Sequence, residues 1–262
     1  MLSDIISEFV PHYKTVSVGD EQLVLLYKPY LPYEDHGEPF LLDNYFRCYD
    51  ALYHAVQNLK NALSEKGVCC YEVDEKYDFK LLFVSSGLAK YCKNRLIRVG
   101  EFGTYCALYA LGVKDIDKED FSQFTPINPS FEYWIKNGFF EGCVGCECCF
   151  TACPTGALKD EFTAEICVRN RQLNLETHLL TDKERGRLLL GCNRCQNACP
   201  YNPKGREKVP EEVAALLSYS AMHEVINGGK QSISVLYPLI GKNYARPKKM
   251  NILLDVFFHK DK

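Results

Sequence analysis

The 262-residue chain lacks several features that are typical of other protein classes. No window approaches the about eighteen uninterrupted apolar residues of a membrane span, and the richest stretch, residues 104–113, is too short to cross a bilayer. The start, Met1-Leu2-Ser3-Asp4, has neither the basic nor the apolar segment of a secretory signal. A net charge of −3 argues weakly against non-specific nucleic-acid binding. We therefore expect a cytoplasmic protein that has no membrane segment.

Cysteine, in contrast, is abundant, with 14 residues. Nine of them lie between residues 143 and 199. In a cytosolic chain, cysteines at metal-ligand spacing indicate a metal or cluster site rather than disulfides. The others are predicted to be small, buried apolar residues, because free cysteine is among the most buried residue types. They are Cys48, Cys69, Cys70, Cys92 and Cys106.

The first dense motif runs from Cys143 to Pro154 and has the spacing C-x2-C-x2-C-x3-C-P. This spacing is typical of ferredoxins, in which the first three thiolates bind one 4Fe–4S cluster and the fourth binds the other cluster. The fourth cysteine, Cys153, is predicted to begin a helix, because Pro154 suits a first helical turn, where no N–H is needed.

The second motif runs from Cys192 to Pro200 and has the same ending, but Leu189 occupies the place of its first cysteine. Cys167 is the only cysteine between the motifs and is predicted to supply the missing ligand, with Cys148 as its rival. The predicted ligands are Cys143, Cys146, Cys149 and Cys199 for cluster 1, and Cys153, Cys167, Cys192 and Cys195 for cluster 2.

Zinc is the alternative reading of these cysteines. A single C-x-x-C pair is also found in structural zinc sites. Two interlocking copies, each followed by proline, favour two 4Fe–4S clusters over zinc or disulfides. We therefore expect electron transfer or reduction.

The hydrophobic periodicity upstream predicts alternating helices and strands, and hence an α/β domain over about residues 1–135. Ser3 is the predicted N-cap of the first helix, and Asp43 and Gly67 are predicted to bound the longest one. Helices are predicted over 3–9, 43–67 and 79–90, and strands over 22–27, 68–73, 96–99 and 104–110.

The whole chain is predicted to be an α+β protein with three parts. The α/β domain over residues 1–135 is followed, after a linker at 126–129, by a ferredoxin-like two-cluster domain over 136–205. Residues 206–262 are predicted to form a helical C-terminal extension, with helices near 210–226 and 250–259.

The incomplete second motif, the lone intervening cysteine and the words Cys153-Pro-Thr-Gly-Ala157 and Cys199-Pro-Tyr-Asn202 resemble the epoxyqueuosine reductase family. Residues 23–30 are similar to the first core strand of that family, and residues 87–94 are similar to its GLG-x-x-GKN segment. Residues 101–105 look like the turn that follows this segment. The likeness covers about residues 20–205 and is strongest at the cysteines.

The resemblance implies a nitroreductase-like N-terminal domain of the cobalamin-binding type found in reductive dehalogenases. It also implies that the clusters pass electrons to cobalamin, which then removes an epoxide oxygen from a queuosine precursor in tRNA. In such an enzyme, the cofactor carries the difficult chemistry and the protein positions it. A flavodoxin or ferredoxin is the implied electron donor.

The resemblance also implies site residues in the N-terminal domain. Asp74, rather than Asp78, is the predicted proton donor. Lys93, Asn94 and Gly103 are the predicted cofactor-binding residues.

The chain departs from the family at three points. Cys92 replaces a family glycine, a tryptophan-containing element is missing, and only about 57 residues follow Gly205. The alternative function is therefore a cofactor-free ferredoxin-like protein that serves a partner enzyme. Binding of tRNA is not favoured, because the net charge is −3 and the tail is short.

Overall fold

The computed structural model describes residues 2–35, 41–73, 77–130, 138–159 and 161–258. The chain divides into two compact units. The first consists of Met1–Tyr30 and Ala51–Cys146, and the second of Leu31–Asp50 and Glu147–Lys262. The division into three parts at residues 135 and 205 stays a prediction.

Nine β-strands lie in the described ranges. They are β1 (Tyr13–Val18), β2 (Glu21–Pro29), β3 (Leu41–Leu42), β4 (Cys69–Glu72), β5 (Ala89–Tyr91), β6 (Ile97–Val99), β7 (Cys106–Lys114), β8 (Thr125–Pro126) and β9 (Leu188–Leu190).

The α-helices in the same ranges are mostly short. They are α1 (Leu2–Phe9), α2 (Asn44–Glu65), α3 (Phe79–Ser85), α4 (Lys118–Phe121), α5 (Cys148–Ala152), α6 (Val168–Leu173), α7 (Asp182–Arg185), α8 (Arg194–Asn197), α9 (Glu211–Ala214), α10 (Tyr219–Asn227), α11 (Lys230–Ile233), α12 (Tyr237–Ile240) and α13 (Pro247–Phe258). Within the described ranges, no helix combines the length and the apolar character needed to cross a membrane.

The first unit contains a five-stranded sheet in the order β4-β7-β2-β1-β8. The pairs are antiparallel except β1 with β8, which is parallel. The mixture of helices and strands was predicted, but the sheet is mainly antiparallel and is not the parallel sheet that alternating helices and strands usually indicate. Instead, the long strands β2 and β7 pair from Gln22↔Val113 to Pro29↔Cys106.

One apolar cluster of this unit lies between the sheet and α3. Leu23, Leu25 and Ala110 contribute from the sheet, and Leu82 and Phe83 contribute from α3. All five side chains are fully buried. Burial of apolar surface on this scale is the main favourable term in folding.

Three local predictions in this unit need correction. Helix α1 begins at Leu2, whose N–H donates to the Asp120 carboxylate at 3.2 Å, so Ser3 lies inside the helix and is not its N-cap. Helix α3 ends at Ser85 and not at residue 90, because Gly87 has a φ of +78° and turns the chain into β5. Pro126 lies in β8, so the predicted linker begins inside the sheet.

The C-terminal helices of the second unit share one apolar core with the parallel strands β3 and β9. Leu42 contributes from β3 and Phe46 from the start of α2, and Leu189 and Leu190 contribute from β9. The rest of the core comes from α9 to α13, including Val213, Met222, Leu236, Met250, Leu253 and Leu254. The helices predicted near 210–226 and 250–259 are present as α9, α10 and α13.

A capping box begins helix α7 and gives a testable contribution to stability. The Thr181 hydroxyl accepts from the Glu184 N–H at 3.3 Å, while the Glu184 carboxylate accepts from the Thr181 N–H at 2.8 Å. Thr181→Ala is expected to lower the free energy of unfolding by about 1 kcal/mol in urea denaturation. Thr163→Ala, which removes an exposed hydroxyl 3.4 Å from the Glu161 carbonyl, is the matched control. Equal losses in the two variants would contradict a specific role for the cap.

Candidate metal centre

Five of the predicted ligands approach one another within the second unit. Helix α5 packs against α8, which places Cys149 and Cys153 near Cys195. Cys192 lies in the loop between β9 and α8, and Cys167 is the residue that precedes α6. The four cysteines predicted for cluster 2 are therefore neighbours in the folded chain, together with Cys149, which is predicted for cluster 1.

The pKa values of these thiols reflect this crowding. Burial, followed by the charges of four neighbouring thiols, raises the pKa of Cys195 to about 12. Burial also raises the pKa of Cys192 to about 11, and Cys167 contributes to that shift. Among the described residues, no group of three His, Cys, Asp or Glu side chains has the spacing of a site for a single metal ion. The four neighbours of Cys195 are Cys192, Cys149, Cys167 and Cys153.

The chemistry of this donor set fits an iron–sulfur cluster. Several buried thiolates cannot all carry a negative charge side by side unless a positive centre compensates them. A metal centre does so, because a coordinating thiol loses its proton to the metal.

The loop that carries Cys192 is held by a buried glutamine. Gln172 Nε2 donates to the Leu188 carbonyl at 3.0 Å, and Gln172 Oε1 accepts from the Gly191 N–H at 2.7 Å. The side chain is fully buried, so both bonds are shielded from water. Gln172 thus fixes the end of β9 immediately before the cysteine. Sequence reasoning missed this residue, because a glutamine inside a short helix carries no recognisable signal.

Gly191 is required at this turn for two reasons. Its φ is +99°, in the region that favours glycine. A Cβ atom at this position would lie 2.7 Å from the Asp43 Cβ and 2.8 Å from its Oδ2. The position of Gly191, directly before the first cysteine of the second motif, is the one sequence signal that could have indicated this close approach.

Asp43 lies beside this turn and begins helix α2, as predicted. Its Oδ1 accepts from the Tyr45 N–H at 3.1 Å, which is the geometry of a helix cap. Burial raises the pKa of Asp43, and the positive charge of Arg169 opposes that shift. The guanidinium of Arg169 also lies 4.3 Å from the centre of the Tyr45 ring. Asp43 therefore links the start of α2 to the loop of Cys192.

The segments after Cys153 and Cys199 correct one prediction. Helix α5 ends at Ala152, directly before Cys153, and Gly156 turns the chain with a φ of +70°. No helix begins at Pro154, because turns occupy the described residues that follow it. Near the second motif, the buried Asn202 donates to the Gln196 carbonyl at 2.8 Å. The asparagine of the Cys-Pro-Tyr-Asn word therefore ties this turn to α8.

The first half of the first motif lies in the first unit. Cys143 is buried, and the Cys146 N–H donates to its carbonyl at 3.2 Å. Gly145 between them has a φ of +70°. The other two predicted ligands of cluster 1, Cys149 and Cys199, belong to the second unit. The four-cysteine assignment for cluster 1 stays a prediction.

Cys148 and Cys149 differ in exposure. Cys149 is 8% exposed, whereas Cys148 is exposed to solvent. Of the cysteines outside the motifs, Cys48 and Cys92 are buried as predicted, but Cys69 is exposed, so the prediction for that residue was wrong.

The residues predicted to bind a cofactor make contacts within their own unit. Lys93 Nζ donates to the Cys146 carbonyl at 2.9 Å, and Asn94 Oδ1 accepts from the Leu96 N–H at 3.2 Å. Gly103 has a φ of +61° and follows a short 3-10 turn. Asp78 caps helix α3 by accepting from two backbone N–H groups. Asp74 lies outside the described residues.

The cysteine pattern is that of a double-cluster iron–sulfur domain. The family described as "4Fe-4S double cluster binding domain" matches residues 142–202. The curated relatives and solved structures described below are epoxyqueuosine reductases, which confirms the resemblance.

Two curated relatives show the extent of this similarity. The epoxyqueuosine reductase of Escherichia coli (strain K12) is 35% identical over 66 residues, which is 24% of this chain and 17% of the relative. That of Bacillus subtilis (strain 168) is 31% identical over 127 residues, which is 47% of this chain and 28% of the relative. The matches thus cover under a third of the length of these relatives.

The solved structures extend the likeness to the fold. A crystal structure of epoxyqueuosine reductase with an epoxyqueuosine-modified tRNA-Tyr stem loop has a TM-score of 0.59 at 18% identity. The match covers 90% of this chain and 64% of the solved reductase chain. The match to a structure of the Bacillus subtilis enzyme, with its catalytic loop swung out of the active site, has the same TM-score and covers 63% of that enzyme's chain. At this identity, the likeness shows a shared mixed α/β fold.

Proposed function

We propose that this chain is an iron–sulfur oxidoreductase that passes electrons through two 4Fe–4S clusters to an acceptor for a reductive reaction. The observation that carries the proposal is the approach of Cys149, Cys153, Cys167 and Cys192 to Cys195 within the second unit. The match to a double-cluster family and the similarity to reductases support it.

Each cluster takes one cysteine from the other cluster's motif in this proposal. Cys153 leaves the first motif to join the second cluster, and Cys199 leaves the second motif to join the first cluster. Such clusters supply one-electron transfer, with potentials that depend on burial and on hydrogen bonds to sulfur. The protein contributes buried thiols and the Gln172–Gly191 hydrogen bond that holds the loop of Cys192. The proposed ligands are Cys143, Cys146, Cys149 and Cys199, and Cys153, Cys167, Cys192 and Cys195.

Cobalamin is the acceptor that the resemblance implies, with Asp74 as the proton donor. The three residues predicted to hold it do not fit a corrin site as they are placed. Lys93 and Asn94 bond to the chain's own backbone, and Gly103 completes a turn. The proposed acceptor is therefore defined only by its role, which is to receive electrons from the clusters, and cobalamin is the acceptor to test first.

The substrate proposal follows the relatives. One solved relative is bound to an epoxyqueuosine-modified tRNA stem loop, so epoxide reduction on tRNA is the specific reaction to test. The net charge of −3 does not favour tRNA binding by the chain as a whole. The proposed electron donor is a flavodoxin or ferredoxin.

The second candidate function is a cofactor-free, ferredoxin-like electron carrier for a partner enzyme. The contacts of Lys93 and Asn94, together with Cys92 in place of a family glycine, favour it. Both candidates need the same two clusters, and they differ in whether the first unit binds a corrinoid.

Anaerobic reconstitution followed by corrinoid titration tests both parts of the proposal. The reconstituted chain is expected to hold about eight irons and a matching amount of sulfide, four of each per cluster. Iron analysis and electron paramagnetic resonance after reduction measure this. An iron content of about one per chain would contradict the cluster proposal, since a mononuclear site holds one ion. A cobalamin absorbance change that saturates at one equivalent would reject the carrier, and no change would reject the cobalamin-dependent reductase.

A further inference from the structure

The C-terminal helices surround an open cavity of about 490 Å³ that lies outside the cysteine-rich region. Its lining comes from residues 229–247, all within the second unit. The buried side chains of Ile233 and Ala245 form an apolar part of its wall. Ligand pockets for small organic molecules measure roughly 300–1,000 Å³, so this cavity has the size of such a site.

Positive charge dominates the lining. Lys230, Lys242 and Arg246 line the cavity together with the polar groups of Tyr237 and Asn243, and no carboxylate is among the described lining residues. The sequence shows the same asymmetry, since residues 228–250 contain five Lys and Arg residues and no Asp or Glu. The chain as a whole has a net charge of −3, so this segment is a local exception. A cleft lined by one sign of charge attracts ligands of the opposite sign.

These cations lack acidic partners in the part of the chain that the structure describes. Neither Lys230 nor Lys242 forms a salt bridge there. Arg246 donates to the neutral Asn243 carboxamide at 3.3 Å. Next to it, burial and the charge of Arg246 lower the pKa of Lys249. An anion in the cavity would therefore be attracted to exposed positive groups that no carboxylate in the described ranges pairs with.

The cavity is too large for a single inorganic anion. A water molecule occupies about 30 Å³ of liquid, and a phosphate ion is only a few times larger. The remaining space is bordered by the half-buried Tyr237 ring and by Ile233 and Pro247. An aromatic ring offers a stacking surface to any nucleobase, because every base has a flat π-face. Charge and apolar surface together match an organic phosphate with a flat ring.

We propose that this cavity binds a nucleoside phosphate, either free or as part of an RNA chain. The phosphate lies among Lys230, Lys242 and Arg246, where the arginine fork binds two phosphate oxygens. The base packs against Tyr237. This site is separate from the cysteines and does not depend on the cluster proposal.

Titration of the full reconstituted chain tests the proposal. Adenosine monophosphate is expected to bind saturably and more tightly than inorganic phosphate in isothermal titration calorimetry. Lys242→Gln and Arg246→Gln are each expected to weaken binding about tenfold, because each removes a charged hydrogen-bond donor. Lys242→Arg keeps the charge and is expected to retain binding. Lys208→Gln, an exposed lysine of the same unit outside the cavity, is the matched control and is expected to change nothing.

A short single-stranded RNA distinguishes the two sources of the nucleotide. If RNA binding is weakened by Lys242→Gln and Arg246→Gln, the site binds a nucleotide within RNA. If these changes weaken only the binding of adenosine monophosphate, the site binds the free nucleotide. Thermal unfolding midpoints equal to that of the native chain show that the variants are folded. Binding that is absent for both adenosine monophosphate and the RNA, or that is equally tight in both glutamine variants, would overturn the proposal. Equal affinity for inorganic phosphate would also overturn it.

Discussion

Replacing Cys167 by alanine is expected to remove the second cluster and to lower the iron content from about eight to about four atoms per chain. The reason is the place of this residue in the fold. Cys167 precedes helix α6, and its thiol contributes to the raised pKa values of both Cys192 and Cys195. A cluster that loses one of four thiolates loses a covalent anchor as well as charge compensation. Iron analysis and the absorbance of the anaerobically reconstituted variant measure the loss.

Cys148→Ala is the matched control for this prediction. Cys148 is the rival fourth ligand, and it is exposed, whereas its neighbour Cys149 is buried. This variant is expected to keep about eight irons, because it removes no proposed ligand. If Cys148→Ala lost half of the iron and Cys167→Ala lost none, the fourth ligand of the second cluster would be Cys148.

Gln172→Leu is expected to lower the free energy of unfolding by about 2–5 kcal/mol, because it leaves two buried backbone groups without partners. These groups are the Leu188 carbonyl and the Gly191 N–H, which bond to the two ends of the Gln172 carboxamide. The loop of Cys192 follows directly, so we also expect weaker assembly of the second cluster. Urea denaturation and iron analysis provide the two readouts.

Gln231→Leu makes the same chemical change at an exposed position in α11 and is the control. Its effect is expected to stay within about 0.5 kcal/mol, as for most surface substitutions. A loss of stability in Gln172→Leu no larger than in Gln231→Leu would show that the buried hydrogen bonds do not stabilise this loop.

The parts of the site that sequence reasoning predicted best rest on local spacing. The two-residue interval between the cysteines places Cys192 just before the short helix that carries Cys195. The helix cap at Asp43 follows from the residue type before an apolar repeat. Gly67 ends the same long helix with a φ of +80°, as predicted. In each case, the signal and the structure that it predicts lie within a few residues of each other.

The failures have the opposite character, because tertiary contacts or competing turns decide them. The apolar pattern of residues 79–90 continues past Gly87, but pairing of β5 with β6 takes over those residues. The contact between Gly191 and Asp43 joins residues that are far apart in the sequence, so no local pattern indicates it. Pro154 suits either a first helical turn or a turn after a helix, and the structure has the latter.

The parallel pairing of β3 with β9 brings residues 41–42 next to residues 188–190. During synthesis on the ribosome, the early segment must wait for the later one to emerge, so the cysteine-rich half matures late. A fragment cut to residues 142–202 would lack Leu42, Phe46 and the C-terminal helices, which form most of the apolar core of that half. A fragment that contains only the cysteine motifs would therefore have the ligands without a folded scaffold. Any shortened version that still binds the clusters must retain the chain on both sides of the motifs.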